Sequence, residues 1–259
     1  MGGLSGSDRG VCYGDGIFRT LRVRLGLPVT WALHYKKLVD DCNVLGIVCP
    51  SAEILLDDIG RLFTEYEDAV AKIIITRGEG PRGYLVADLL QPTRIVIKTL
   101  APEYPKINFE EGVELHICTL RLGSQPRLAG IKHLNRLENV LARMEWSDSH
   151  IADGLLLDEQ EHVIECTMSN VFLRFGKTLL TPDLKNCGVA GITRQRILEA
   201  VSSLGYQAEI AQIPYAKMPE VDEFIICNSL YGAWQVRTLN SQKWPQQGLA
   251  AQLRNVLQD

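Results

Sequence analysis

The sequence predicts an α+β protein built as two domains. Helix-period and strand-period segments are mixed along the chain without the regular βαβ alternation of a parallel-sheet fold. Near the middle, Ala101-Pro102-Glu103-Tyr104-Pro105-Lys106 carries two prolines that break any regular element, which separates residues 1–103 from 104–259. With 259 residues, 46% of them hydrophobic and 22% charged, each part has enough apolar side chain to bury a core.

The elements follow in order. Ile17 to Thr30 reads as a hairpin, with β-rich runs on either side of Leu25-Gly26-Leu27-Pro28. Leu33 to Leu45 reads as a helix with Leu38, Cys42 and Leu45 on one stripe. Ser51 is placed to cap a second helix, reaching Tyr66, whose core side carries Leu55, Leu62 and Phe63. Two strands complete the first domain, Ala71 to Thr76 and Arg94 to Leu100.

In the second domain, Val113 to Leu120 is a strand. Asn135 is expected to open a helix, with Glu138 closing a capping box and Leu137, Val140, Leu141 and Met144 as the core stripe. Gly154 to Asp158 pairs with Val163 to Thr167, and Asn170 to Phe175 pairs with Thr178 to Leu180 across Gly176-Lys177. Thr193 to Leu204 is a helix stopped by Gly205, and Glu223 to Cys227 is a late strand.

Composition excludes several classes of partner. A net charge of −4 offers no basic field for nucleic acid or an anionic membrane surface. No apolar run is long enough to span a bilayer, and Met1 to Gly10 has no signal-peptide core. The seven cysteines include no CxxC pair and no histidine at metal-ligand spacing, so they read as reduced thiols of a cytoplasmic protein.

One motif misleads. Gly78-Glu79-Gly80-Pro81-Arg82-Gly83 matches a dinucleotide fingerprint after a strand, but that fingerprint needs a helix to open at the glycines. Too little chain lies between Gly83 and the next strand, and Pro92 interrupts it. The stretch is read instead as a loosened loop presenting Arg77 and Arg82.

Three other stretches carry chemistry. Lys132 lies in Ala129-Gly130-Ile131-Lys132-His133-Leu134-Asn135, a short loop with apolar neighbours before a helix. There an ammonium can lose solvation, shed its proton and act as a nucleophile. Glu165 stands at a strand end in Glu165-Cys166-Thr167-Met168-Ser169-Asn170. In Gly188-Val189-Ala190-Gly191-Ile192-Thr193-Arg194, the N–H groups of Ile192 and Thr193 and the Thr193 hydroxyl form an anion seat, or Thr193 only caps its own helix. A lysine, a carboxylate and a phosphate seat are together the parts needed to hold pyridoxal 5'-phosphate (PLP).

These segments, with Tyr13-Gly14-Asp15-Gly16-Ile17-Phe18, resemble the fold-type IV PLP enzymes in four motifs, in family order, over essentially the whole chain. That family includes D-amino-acid and branched-chain aminotransferases and 4-amino-4-deoxychorismate lyases. Gly130 to Glu138 and Arg77 to Tyr84 look most like the lyases, which make 4-aminobenzoate for folate. D-amino-acid aminotransferases tend to carry histidine where this chain has Tyr84 and tyrosine where it has Phe18. The resemblance implies a D-amino-acid aminotransferase-like fold: an N-terminal α/β domain, a barrel-like C-terminal domain and PLP between them. It implies a homodimer acting on a small molecule, since the Arg82 loop reaches the neighbouring subunit's site in this fold.

By the same resemblance, Lys132 holds PLP through its amine and then works as general base and acid. Glu165 pairs with the pyridine nitrogen, while Ile192, Thr193, and Asn228 or Ser229 hold the phosphate. Arg82, with Arg77 second and Tyr84 beside them, binds substrate carboxylate. Two departures stand out. The family's phosphate-gripping arginine lies in a His-x-x-Arg-Leu run, but here the run is His34-Tyr35-Lys36-Lys37-Leu38, which leaves Lys37 with the charge and no fork. The short strand that usually precedes Ser7-Asp8-Arg9 is also missing, so the N-terminal sheet edge or the chain start is expected to differ. A transaminase would use the same PLP residues. A non-catalytic relic would have no reason to keep both Lys132 and Glu165.

Overall fold

The computed structural model describes residues 3–64, 68–87 and 90–257. The chain forms two compact units, Met1–Pro102 with Ile131–Asn135, and Glu103–Gly130 with Arg136–Asp259. A single cut after residue 103 therefore misplaces the lysine loop, which rejoins the first unit by pairing with one of its strands.

The first unit opens with α1 (Arg9–Tyr13), capped by the Asp8 carboxylate accepting the Gly10 N–H at 2.8 Å. Strand β1 (Gly16–Arg24) turns through Leu25-Gly26 into the two-residue β2 (Leu27–Pro28). Helices α2 (Trp31–Leu45) and α3 (Ala52–Leu62) follow, then β3 (Asp68–Thr76) and β4 (Thr93–Leu100). Ser51 does cap α3, its hydroxyl accepting the Ile54 N–H. The helix stops at Leu62, with Phe63 as its C-cap, and Tyr66 lies outside the described residues. The sheet order is β2-β1-β3-β4. Ile17, Leu21 and Val23 alternate onto one face of β1 and pack with Leu38, Cys42, Leu55 and Ile59 of the two helices. Arg19 shares that face and is buried with them.

The second unit runs through α4 (Lys106–Glu110), β5 (Val113–Leu122), α5 (Leu137–Arg143), β6 (Ile151–Asp158), β7 (Val163–Cys166), β8 (Asn170–Phe175) and β9 (Thr178–Pro182). It continues with α6 (Ile192–Ala200), β10 (Gln207–Ala211), β11 (Glu223–Asn228), β12 (Gly232–Leu239), β13 (Gln242–Lys243) and α7 (Leu249–Leu257). The strands lie in the order β10-β9-β8-β11-β12-β5-β6-β7, with β13 on β12. The sheet curls back on itself: the Val163 N–H at the start of β7 donates to the Ile213 carbonyl just after β10, at 2.8 Å. Period-two alternation divides the side chains. Val171, Leu173, Phe224 and Ile226 fill the inside. Phe172, Ile225 and Cys227 face out against α6 and α7.

Around α5 the local signals mislead. Helix α5 starts at Leu137 after Arg136, with no side-chain cap. Glu138 accepts the Gly123 N–H at 3.0 Å instead of closing a box, because Asn135 belongs to the first unit and donates to the Gly14 carbonyl. The apolar stripe is not core either. Leu137 is 75% exposed and Met144 74%, with Val140 and Leu141 also exposed, while the buried side is that of Ala142. Among the described residues, no helix is long and apolar enough to cross a membrane and no cluster could hold a metal ion.

Candidate active site

The lysine loop is an added edge on β1. Strand β2 covers only Val23 and Arg24, so the start of β1 has a free side. The Phe18 N–H donates to the Lys132 carbonyl and the Leu134 N–H to the Gly16 carbonyl, both at 2.9 Å. The Lys132 N–H reaches the Asp41 carboxylate at 3.3 Å. With its backbone held on both sides, Lys132 places its Nζ 4.8 Å from the centre of the Phe18 ring, in half-buried surroundings.

Asp41 is 1% exposed and serves three partners. Besides the Lys132 amide it accepts hydrogen bonds from Arg19 on β1 and from Lys37, one turn earlier on α2. One carboxylate between two cations leaves a net positive charge there. Burial, opposed by the attraction of Asp41, pushes the Lys37 ammonium below its ordinary range. Lys36, by contrast, pairs with Asp40 in solvent.

The glycine-rich loop needs its glycines. Gly78 has φ +93°, and a Cβ there would lie 1.8 Å from the Gln91 carbonyl oxygen. No helix follows Gly83 among the described residues. Arg77 is not free for a substrate: its Nε and Nη2 bond Asp15 at 2.7 and 2.9 Å, and the fork also takes the Leu45 and Gly46 carbonyls. It is a staple, because strand β3 ends with its side chain over the C-terminus of α2. Burial opposes the Asp15 charge, but bonds from Arg77 and Arg9 outweigh it and hold the carboxyl below the usual range. Arg82 and Tyr84 are exposed, the Tyr84 ring lying 5.4 Å from that of Tyr13.

In the second unit, Glu165 is a buried carboxylate on β7 whose Oε2 accepts the Val189 N–H at 2.8 Å. Asn170, at the start of β8, locks the same turn: it donates to the Val189 carbonyl at 2.7 Å and accepts the Gly191 N–H at 3.1 Å. A Cβ on Gly191 would lie 2.3 Å from the Asn170 Oδ1, so this approach requires glycine. Gly191, and not Thr193, is the N-cap of α6. The first intrahelical bond is from the Gln195 N–H to the Gly191 carbonyl, leaving the N–H groups of Ile192, Thr193 and Arg194 ahead of it at the positive helix end. The Thr193 hydroxyl is turned 3.4 Å from the Ser229 hydroxyl. Asn228 instead shapes its own turn, its Oδ1 accepting the Leu230 and Tyr231 N–H groups. Arg194 is buried against neutral partners, the Thr181 hydroxyl and the Pro182 carbonyl, which adds positive charge at this helix end. Buried Asp153 holds the β7–β8 turn by accepting from Thr167 and Ser169 at 2.6 and 2.7 Å, and Ser169 touches the Tyr231 hydroxyl. Burial raises the Asp153 carboxyl against these bonds.

The donors fit an anionic, electron-withdrawing cofactor: paired hydroxyls and the N–H groups ahead of the first intrahelical bond at a helix start, and a buried carboxylate. Sequence reasoning missed Asp41, Asn170 and Asp153. Only Asn170 lay inside a motif that could have flagged it.

The residues 16–239 match the model of the family described as amino-transferase class IV. The chain belongs to that family. It superposes on a crystal structure of 4-amino-4-deoxychorismate lyase from Pseudomonas aeruginosa with a TM-score of 0.94 and 43% identity, covering 99% of this chain and 95% of that one. It is 36% identical to an aminodeoxychorismate lyase of Vibrio harveyi over 90% of its own length and 86% of that protein's. A D-alanine aminotransferase of Listeria monocytogenes is 28% identical, over 86% of this chain and 77% of that protein.

If Lys37 carries the charge of the missing arginine, its variants should change how firmly PLP is held. Lys37→Ala is expected to weaken PLP binding by ~1.5–3 kcal/mol, the range for a hydrogen bond to a charged group, and Lys37→Arg to strengthen it. The check is the rate of PLP loss during dialysis against hydroxylamine. Equal rates in all three proteins would remove Lys37 from the phosphate. Lys36 is turned to solvent and Arg196 to the Leu257 carbonyl, so neither stands ready to replace it.

Proposed function

We propose that this chain is a PLP-dependent 4-amino-4-deoxychorismate lyase, eliminating pyruvate to give 4-aminobenzoate for folate synthesis. The observation that carries the reading is whole-chain likeness to two lyases at 36% and 43% identity, against 28% for the aminotransferase. When bound, PLP supplies the electron sink for the reaction. Lys132 would tether it through its amine and, as the base, would take the proton from the amine-bearing ring carbon of the substrate. The same side chain then returns a proton to the departing enolpyruvyl group, which leaves as pyruvate. Glu165 would keep the pyridine nitrogen protonated. Thr193, Ser229 and the N–H groups of Ile192 and Thr193 would hold the phosphate, with Lys37 adding charge. Arg82 takes a carboxylate of the dicarboxylic substrate, with Tyr84 beside it. Loss of the side chain makes the ring aromatic, so the protein chiefly has to orient groups and time the proton transfers.

Purified protein given aminodeoxychorismate should release pyruvate and 4-aminobenzoate in equal amounts. Release of neither, with amino transfer from D-alanine to a keto acid, would favour the second reading, a D-amino-acid aminotransferase.

We also propose a cytoplasmic homodimer. The seven cysteines are all unbridged, which fits a reducing compartment. The exposed face of α5, made by Leu137, Val140, Leu141 and Met144, is an apolar stripe of the kind a second copy covers. In solution the protein should have twice the mass of one chain, and Leu137→Asp with Leu141→Asp should shift it to monomer. A wild-type monomer at micromolar concentration would sink this part.

A further inference from the structure

The loop bearing Arg82 and Tyr84 combines exposed side chains with a firmly held backbone. Tyr84 is 86% exposed and Leu85 87%, as expected of a mobile surface loop. Yet both backbone groups of Gly83 are bonded to side chains of α1. The Tyr13 hydroxyl accepts the Gly83 N–H at 2.9 Å, and Arg9 Nη1 donates to the Gly83 carbonyl at 2.9 Å. Arg9 Nη2 donates to the Tyr84 carbonyl at 3.3 Å. Arg9 is itself 3% exposed, lies 4.9 Å over the Tyr13 ring and bonds Asp15 through Nε at 2.9 Å. Asp15 is braced in turn by Arg77. Taken together, a guanidinium fork fixed at its base spreads over the Gly83 and Tyr84 carbonyls, while the side chains of Arg82, just before them, and of Tyr84 are exposed.

We propose that Arg9, with Tyr13, is the positioning residue of the substrate-carboxylate loop: it orders the backbone so that Arg82 is set for a dicarboxylate before one arrives. The inference rests on Arg82 as the carboxylate clamp of the proposed function. A clamp on an unheld loop must be ordered at each binding event, which subtracts from affinity. Here that ordering is supplied by folding. Lysine cannot substitute, because its point charge reaches one acceptor where the fork reaches three residues.

The test uses the PLP-loaded enzyme and four variants: Arg9→Lys, Tyr13→Phe, Arg82→Ala and the double variant Arg9→Lys/Arg82→Ala. Two quantities are read, KM against kcat for aminodeoxychorismate, and the inhibition constant of chorismate, which has both carboxylates and no amine to react. Arg82→Ala should raise both KM and the inhibition constant about tenfold or more, the scale of lost hydrogen bonds to a charged group. Arg9→Lys should raise both by a comparable factor with kcat, yellow colour and melting temperature near wild type. Tyr13→Phe should give a smaller rise of the same kind. The double variant should be no worse than Arg82→Ala alone, because nothing remains to be positioned. If Arg82→Ala matters while Arg9→Lys and Tyr13→Phe leave both constants unchanged, the inference falls and the clamp stands. If the two effects multiply in the double variant, Arg9 acts elsewhere and the inference also falls. If Arg82→Ala itself changes nothing, the clamp is wrong and the inference goes with it. Should Arg9→Lys lower the melting temperature or lose PLP, Tyr13→Phe decides: an unchanged KM there overturns the proposal.

Discussion

Lys132→Ala should purify colourless and lose at least about a thousandfold in turnover, since on the proposed reading it removes the cofactor's tether and the acid–base group together. The wild type should absorb in the near-visible, and borohydride should fix the label on Lys132. The backbone contacts of this residue, to Phe18 and Asp41, do not involve its side chain, so the variant should keep its fold. A colourless, folded, inactive Lys132→Ala separates chemistry from structure. Label on Lys37, already engaged by Asp41, or on Lys177, whose ammonium lies 4.7 Å over the Tyr206 ring, would overturn the assignment.

Glu165→Gln should slow turnover by on the order of a hundred- to a thousandfold, the effect of removing one preorganised electrostatic partner. The amide keeps the shape and an oxygen to accept the Val189 N–H, so the turn ahead of α6 should hold and PLP should still load. What it loses is the negative charge that, on the proposed reading, would keep the pyridine nitrogen protonated. Slow turnover with a normal cofactor content is the expected pair of results, read from steady-state rates and PLP released by alkali. Wild-type rates in Glu165→Gln would make this carboxylate only a brace for Val189.

The cofactor's needs and the local elements are both written in short stretches of chain. Ser51 before an apolar helical run announces its own cap, and β-rich runs around Leu25-Gly26 announce a hairpin. Lys132, Glu165 and the Gly191–Thr193 turn are visible for the same reason: each needs a residue type set in a recognisable local frame. The Gly191–Thr193 turn was visible in outline but its cap was not, because Thr193 turns toward Ser229, 36 residues away.

Partners distant along the chain decided the rest. The stripe from Leu137 to Met144 shows from periodicity that one face of α5 is apolar, but periodicity carries no information on what covers it, and none of the described residues of this chain does. Arg77 and Arg82 look alike as two arginines flanking a glycine loop. Only the fold brings Asp15 and the end of α2 to the first and leaves the second in solvent. Asp41 reads as one more acidic residue on a helix until the chain, 91 residues later, lays the Lys132 amide against it. Hydrophobic period, caps and turns depend on neighbours within a few residues, so the order of residues states them directly. The occupancy of a buried carboxylate, or of an arginine's fork, depends on which distant segments fold against it, and that is set only when the chain is packed.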